Sequence, residues 1–117
     1  MQVFLREAIG VARGDEVLFS DYEHDGEMWK GHGTRERRRR ITFEAAFRAA
    51  PIVQVAISLW DTDSGTNARM DVSAETITRE GFEIVFRTWA DTRVARVRVC
   101  WLAIGAAHHA DDWQEVE

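Results

Sequence analysis

Cysteine, proline and lysine are nearly absent from this chain of 117 residues, which contains one of each. The single cysteine, Cys100, cannot form a disulfide within the chain, so the fold does not depend on an oxidising compartment. Spaced cysteine and histidine sets and a phosphate-binding glycine loop are also missing, and Ser64 has no neighbouring base. We therefore expect no catalytic residues, no metal site and no cofactor.

A long apolar run is missing as well. Residues 1–14 read MQVFLREAIGVARG, and Arg6 and Glu7 interrupt their apolar stretch. A signal peptide or a membrane span needs a continuous apolar segment. The expected protein therefore does not insert into a membrane, and it is cytoplasmic or released without a classical signal.

The positive charge is almost entirely arginine, in a chain whose net charge is −5. This balance disfavours nucleic acid as a partner. The run of four arginines at 37–40 is the exception, but successive side chains of a strand point to opposite faces. We interpret it as a solvated or interface strand instead of a phosphate-binding patch. Arg87, Arg96 and Arg98 are expected on one strand face, which is either an interface between protomers or an exposed polar face.

Two alternating runs near the end of the chain give the clearest strand patterns. Their inward faces are predicted to be Phe82, Ile84, Phe86 and Thr88 in one run, and Val97, Val99, Trp101 and Ala103 in the other. The period of two is typical of half-buried strands. Residues 89–92 between them are predicted to form the bend of a hairpin. There Trp89 serves either as a stacking surface or as a cover for the sandwich edge.

Further strand patterns occur earlier in the chain. A strand is predicted over residues 16–22, with Val17 and Phe19 facing inward, and the apolar run 52–60 predicts a central strand. The glycine-rich segment 24–33 predicts a loop. In all, six short strand-like runs separated by turn residues predict an all-β fold, a six-stranded antiparallel β-sandwich.

The order of these residues resembles the H-type lectin domain family. The matching positions are Thr34-Arg35-Glu36, Ile41-Thr42-Phe43, Phe47, Pro51, Val53, Asp61, Asn67, Arg69, Thr78, Gly81-Phe82, Thr88-Trp89, Thr92, Val99 and Trp101. The resemblance implies a six-stranded sandwich that assembles as a homotrimer. It also implies a carbohydrate site near the protomer boundaries that favours N-acetylgalactosamine or galactose.

The resemblance also indicates which residues bind the sugar. It places the arginine of the site at Arg69 and the stacking aromatic at Trp89. Sugars pack their apolar C–H faces on aromatic rings, and a guanidinium donates hydrogen bonds to their hydroxyls. Two positions differ from the family pattern: His32 replaces an acidic residue, and Ala90 replaces a histidine. His32 and Asp91 are expected at the edge of the site.

Two functions fit these observations. The first is a non-catalytic, trimeric lectin-like module that binds glycans or glycoconjugates and gains strength from presenting several sites at once. The alternative is a structural trimeric module of a phage-tail-like or adhesion assembly with a decayed sugar site. The differences at His32 and Ala90 favour the alternative.

The chain is predicted to form one domain with three parts. Residues 1–33 contribute N-terminal strands and a loop that pack on the core, which is residues 34–105. Residues 106–117 form an acidic tail. The sequence leaves open whether residues 1–13 form a strand, a helix or a contact between protomers.

Overall fold

The computed structural model describes residues 1–109 and contains six strands in two antiparallel sheets. The strands are β1 (Ala8–Phe19), β2 (Arg35–Thr42), β3 (Ile52–Thr62), β4 (Met70–Glu75), β5 (Gly81–Thr88) and β6 (Val94–Ala107). One sheet has the order β1-β6-β3 and the other β2-β5-β4. The predicted all-β, six-stranded antiparallel fold is confirmed. Strand β6 ends two residues beyond the predicted core boundary, and residues 110–117 of the predicted tail lie outside the described residues.

The connection between β1 and β2 contains the helical turns of the structure. A 3-10 helix spans Asp21–His24 and the α-helical turn α1 spans Glu27–Lys30. The prediction of a simple loop over residues 24–33 is therefore wrong in its local structure. Among residues 1–109, no helix is long and apolar enough to cross a membrane.

An apolar core fills the space between the sheets. The inward residues predicted for β5 and β6 are buried except Trp101, which is partly buried; the buried ones include Phe82, Ile84, Phe86, Val97, Val99 and Ala103. The rings of Phe82 and Trp101 meet edge to face with centroids 5.4 Å apart, and Phe43 lies 5.9 Å from Trp101. Because β5 and β6 are the central strands of their sheets, their inward faces form the middle of this core.

Strand β1 ends in an irregularity that reverses one prediction. Its register with β6 shifts between Val17 and Phe19. Leu18 and Phe19 are both buried, whereas Val17 is 57% exposed. The prediction that Val17 faces inward is wrong, because an extra residue in one strand breaks the alternation of faces.

The strand partners also differ from the predictions. Strand β3, predicted to be central, lies at the edge of its sheet, and β6 occupies the centre. The predicted hairpin at residues 89–92 is wrong, because β5 and β6 belong to different sheets and this segment crosses between them. A period of two identifies a strand and its faces, but it carries no information about the partner strand.

The arginines of β2 alternate between the two sides of the strand, as predicted. On one side Arg37 pairs with Asp21 at 2.9 Å and Arg39 pairs with Glu16 at 3.3 Å, so both reach residues of the β1 side. On the other side Arg38 joins carboxylates on the outer face of its sheet. Arg37, Arg38 and Arg39 therefore form ion pairs within the protomer.

The three arginines that were expected on one strand face do not share a face. Arg87 on β5 pairs with Glu75 at 2.8 Å and with Glu36 at 3.1 Å on the outer face of the β2-β5-β4 sheet. Arg96 and Arg98 belong to β6 in the opposite sheet. The expectation of one arginine-rich strand face is wrong.

Three connections emerge at one end of the sandwich, which we call the loop end. They are residues 20–34 between β1 and β2, residues 63–69 between β3 and β4, and residues 89–93 between β5 and β6. The last residue of β5 pairs with the first residues of β2 and β4, and the last residue of β3 pairs with the first of β6. This antiparallel arrangement brings segments distant in sequence to one surface.

Candidate functional site

The four predicted site residues all lie at the loop end. His32 belongs to the first connection, Arg69 to the second, and Trp89 and Asp91 to the third. All four side chains are exposed. The fold therefore places every one of them where a ligand has access.

Arg69 and Trp89 flank the end of the β4–β5 ladder. Met70 pairs with Thr88 at its last step, Arg69 precedes Met70, and Trp89 follows Thr88. The hydroxyl of Thr88 donates a hydrogen bond of 2.7 Å to the carbonyl oxygen of Arg69. The two residues therefore emerge from neighbouring strands at the same end of the sheet, and the indole ring of Trp89 is 40% exposed.

Asp91 is held in place by the connection that carries Arg69. Its carboxylate accepts hydrogen bonds of 3.3 Å from the backbone N–H and the side-chain amide of Asn67. The backbone N–H of Asn67, followed by its amide and by the charge of Arg69, lowers the pKa of Asp91. Asp91 is therefore an ionised acceptor near neutral pH.

No group of three or more histidine, cysteine, aspartate or glutamate side chains within residues 1–109 is arranged to hold a metal ion.

Thr92 completes the attachment between the second and third connections. Its hydroxyl accepts a hydrogen bond of 3.0 Å from the backbone N–H of Arg69 and donates one of 2.7 Å to the carbonyl oxygen of Asn67. The side chain of Thr92 is buried. A buried hydroxyl that both donates and accepts fixes the two backbones relative to each other.

The connection that carries His32 is joined to the loop of Trp89 by one backbone hydrogen bond. The N–H of Gly33 donates to the carbonyl oxygen of Ala90 at 2.8 Å. Both residues have left-handed backbone angles, with φ of 76° at Gly33 and 59° at Ala90. Glycine adopts this conformation freely, whereas alanine is strained in it. His32 thus lies one residue from the bond that joins the two loops.

Arg35 supports the site from beneath, and the sequence did not single it out as a functional residue. Its side chain is almost fully buried, and its Nε donates to the carbonyl oxygen of Gly33 at 3.0 Å. Its Nη2 donates to that of Thr92 at 2.7 Å, and its Nη1 donates to those of Glu27 and Met28 at 3.2 Å each. Burial lowers the pKa of Arg35, and these acceptors stabilise the charge. In the sequence Arg35 stands beside a run of arginines with no partner nearby, so its role was hidden.

A second group of aromatic and charged side chains lies at the same end; we call it the Tyr22 cluster, and it comprises Tyr22, Trp29, Asp63 and Arg93. The guanidinium carbon of Arg93 is 4.2 Å from the centroid of the Trp29 ring. Arg93 also donates to the carbonyl oxygen of Trp29 at 2.8 Å and to the carboxylate of Asp63 at 2.9 Å. Tyr22 packs edge-on against Trp29 with centroids 5.1 Å apart.

Comparison of the sequence with known proteins shows the family of this chain. The profile of the H-type lectin domain matches residues 38–104. The chain belongs to the H-type lectin domain family. This H-type lectin domain is 51% identical over 110 residues to the Fuscovulum blasticum protein described as ATP synthase subunits region ORF 7, and the match covers 94% of this chain and 96% of that protein. It is 30% identical over 82 residues to discoidin-2 of Dictyostelium discoideum, covering 68% of this chain and 32% of discoidin-2.

Solved structures show the same fold. A structure of recombinant discoidin II of Dictyostelium discoideum matches with a TM-score of 0.75 at 22% identity, over 92% of this chain and 41% of that chain. The tailspike protein gp49 of Pseudomonas phage LKA1 matches with a TM-score of 0.51 at 14% identity, over 84% of this chain and 15% of that chain. The H-type lectin fold expected from the sequence is confirmed, and family and fold support a carbohydrate-binding, lectin-like role.

Proposed function

We propose that this H-type lectin domain binds glycans at the loop end, with Trp89 as the stacking surface and Arg69 and Asp91 as hydrogen-bonding groups. The observation that supports this most directly is that Arg69 and Trp89 adjoin the last pair of the β4–β5 ladder, Met70 with Thr88. The proposed terminal sugar is N-acetylgalactosamine or galactose, and the module acts by binding, without catalysis.

The three side chains offer complementary chemistry to a sugar ring. The indole of Trp89 takes the apolar C–H face, which hydrogen bonds alone cannot recognise. The guanidinium of Arg69 donates to hydroxyl oxygens, and the ionised carboxylate of Asp91 accepts from hydroxyl hydrogens. His32 stands at the edge of this group and offers one further donor or acceptor. Hydrogen bonds to charged groups are stronger than hydrogen bonds between neutral groups, so Arg69 and Asp91 set the orientation of the sugar.

The outer face of the β1-β6-β3 sheet offers a surface for self-association. Val11, Ile104 and Ile52 pair side by side across all three strands, and Val11 and Ile52 are exposed. Ile9 and Leu102 extend the same apolar face. Contiguous exposed apolar surface of this kind marks an interaction site. We propose that three copies associate through it, as the family resemblance implies, and so present several sugar sites together.

The test of the sugar site is a glycan array followed by calorimetry with galactose and N-acetylgalactosamine. We expect binding by the unmodified protein and loss of binding by Trp89→Ala and Arg69→Ala. Trp60→Ala is the matched control, because Trp60 is an exposed tryptophan on β3 outside the proposed site. Unchanged binding by both site variants would show that the sugar binds elsewhere.

The test of assembly is the mass of the protein in solution by sedimentation equilibrium. The unmodified protein is expected to have the mass of a trimer, and Val11→Asp is expected to be monomeric because a carboxylate then lies in the apolar contact. Val3→Asp, an exposed valine outside the strands, is the control. A trimer that binds no sugar on the array would instead favour the alternative function, a structural module of a larger assembly.

A further inference from the structure

We propose that the Tyr22 cluster is a second sugar subsite, which takes the next residue of an oligosaccharide whose terminal sugar lies on Trp89. This inference rests on the proposed function and specifies its ligand as an oligosaccharide. The cluster repeats the composition of the Trp89 site, since each combines an aromatic ring, a guanidinium and a carboxylate at the loop end.

The ring of Tyr22 is exposed and yet firmly placed. It is 62% exposed, while one edge contact with Trp29 fixes its position. The neighbouring residue, Asp21, is buried, accepts a hydrogen bond of 2.9 Å from the N–H of Met28 and pairs with Arg37 at 2.9 Å. A ligand that stacks on Tyr22 therefore meets a surface that is already ordered, which limits the entropy lost on binding.

The cluster also carries polar groups suited to sugar hydroxyls. Arg93 uses its Nε and Nη1 atoms in hydrogen bonds to Trp29 and Asp63. Over the described part of the chain, its Nη2 group makes no hydrogen bond, and the side chain is 37% exposed. A guanidinium fixed through two of its nitrogens presents the third as an oriented donor. Arg93 thus offers the next sugar the kind of contact that Arg69 offers the first.

Groups of the two sites lie on one short connection. Asp91 and Arg93 are two positions apart on it, so their Cα atoms lie at most about 7 Å apart. The N–H of Asp63 donates to the carbonyl oxygen of Arg93 at 3.0 Å, which ties the cluster to this connection. A ligand longer than one sugar needs such an arrangement, in which one connection carries groups of both sites.

A purely structural role explains only part of the cluster. The stack of Arg93 on Trp29 attaches the β1–β2 connection to the body, and the ion pair with Asp63 supports that stack. Neither contact requires a large aromatic ring exposed to solvent at Tyr22. The combination of an exposed ring and an oriented guanidinium that both contact Trp29 is what supports the second subsite.

The test compares galactose with lactose, and N-acetylgalactosamine with a disaccharide that ends in it, by calorimetry. The unmodified protein is expected to prefer each disaccharide. Tyr22→Ala is expected to lower that preference about two- to tenfold, the range of one aromatic contact. Tyr22→Phe keeps the ring and is expected to keep the preference. Arg79→Ala, an exposed arginine at the opposite end of the sandwich, is the control.

Each outcome separates this inference from the proposed function. Equal affinity of the unmodified protein for monosaccharides and disaccharides, or an unchanged preference in Tyr22→Ala, would overturn the second subsite and leave the Trp89 site standing. Absence of any glycan binding by the unmodified protein would overturn both. A loss of preference in Tyr22→Ala that Tyr22→Phe restores supports the subsite, because a folding defect would lower both affinities together.

Discussion

The Nη2 atom of Arg35 donates a hydrogen bond of 2.7 Å to the carbonyl oxygen of Thr92, a residue 57 positions away in the chain. The same guanidinium donates to the carbonyl oxygens of Gly33, Glu27 and Met28, so the Arg35 side chain, which is only 7% exposed, joins the first and third connections of the loop end from beneath. A buried backbone carbonyl without a donor is costly. The surface on which we place the sugar site therefore depends on one arginine that does not itself face solvent.

Arg35→Lys is expected to destabilise the protein by about 2–4 kcal/mol. An ammonium group cannot replace the planar fork of the guanidinium. Some of the carbonyl oxygens of Gly33, Glu27, Met28 and Thr92 therefore lose their donor. Urea unfolding followed by fluorescence measures the change. The control, Arg79→Lys, alters an exposed ion pair and is expected to change stability by less than about 0.5 kcal/mol. Equal stability of the two variants would contradict the role of Arg35.

Ala90→Gly is expected to stabilise the protein by up to about 1 kcal/mol, since the left-handed φ of 59° strains alanine and not glycine. Ala90→Val is expected to destabilise it, because branching at Cβ adds to the strain. Thermal unfolding of both variants measures the difference. The prediction fails if valine is tolerated as well as glycine.

Gly14→Ala is expected to cost about 1–3 kcal/mol through overpacking. A Cβ at this position would lie 2.7 Å from Nε1 and 2.8 Å from Cε2 of Trp101, a ring packed against the aromatic core. Gly65→Ala is a suitable comparison, because the nearest atom there is Oδ1 of Asp63, at 3.3 Å. Chemical unfolding distinguishes the two, and a Gly14 variant as stable as the Gly65 variant would show that the Trp101 ring moves freely.

Acid is expected to weaken the outer face of the β2-β5-β4 sheet. A hydrogen bond from Arg38 lowers the pKa of Glu36, and one from Arg87 lowers the pKa of Glu75. A carboxylate whose pKa is lowered by folding contributes stability that is complete above its ordinary value of 4.5 and is lost as the pH falls through the lowered folded value.

The measurement is the urea midpoint as a function of pH, compared with that of Glu75→Gln. The variant is expected to show a shallower loss of stability below pH 4.5, because glutamine does not titrate. Identical pH profiles would mean that Glu75 contributes nothing to acid unfolding.

Much of the fold was predictable from local pattern. The alternation of Phe82, Ile84 and Phe86 specified which face of β5 is buried, because a strand has a period of two whatever its surroundings. The same rule assigned the arginines of β2 to opposite sides. It failed at Val17, where an irregularity changes the period, and it failed for β3, whose apolar outer residues lie on an exposed sheet face instead of in the core.

The site was predictable mainly through a resemblance. The strand pattern alone left Trp89 as one of two possibilities, and the family pattern added Arg69 and selected Trp89 as the stacking surface. His32 and Asp91 were expected at the edge of the site. The fold brings all four residues to one end, and their role in sugar binding remains our proposal. Arg35 was missed, because nothing near it in the sequence indicates that its partners lie at Met28 and Thr92. The Tyr22 cluster was missed for the same reason, since Arg93 and Trp29 are distant in sequence.

Side-chain type and steric rules that act over a few residues were sufficient to predict most of the strands and most of their buried faces. They left open the start of β1, which begins at Ala8. They also did not predict that β5 and β6 lie in opposite sheets or that three separate connections form one surface. Strand pairing and sheet packing depend on contacts between distant segments, and a local pattern does not specify which segments those are.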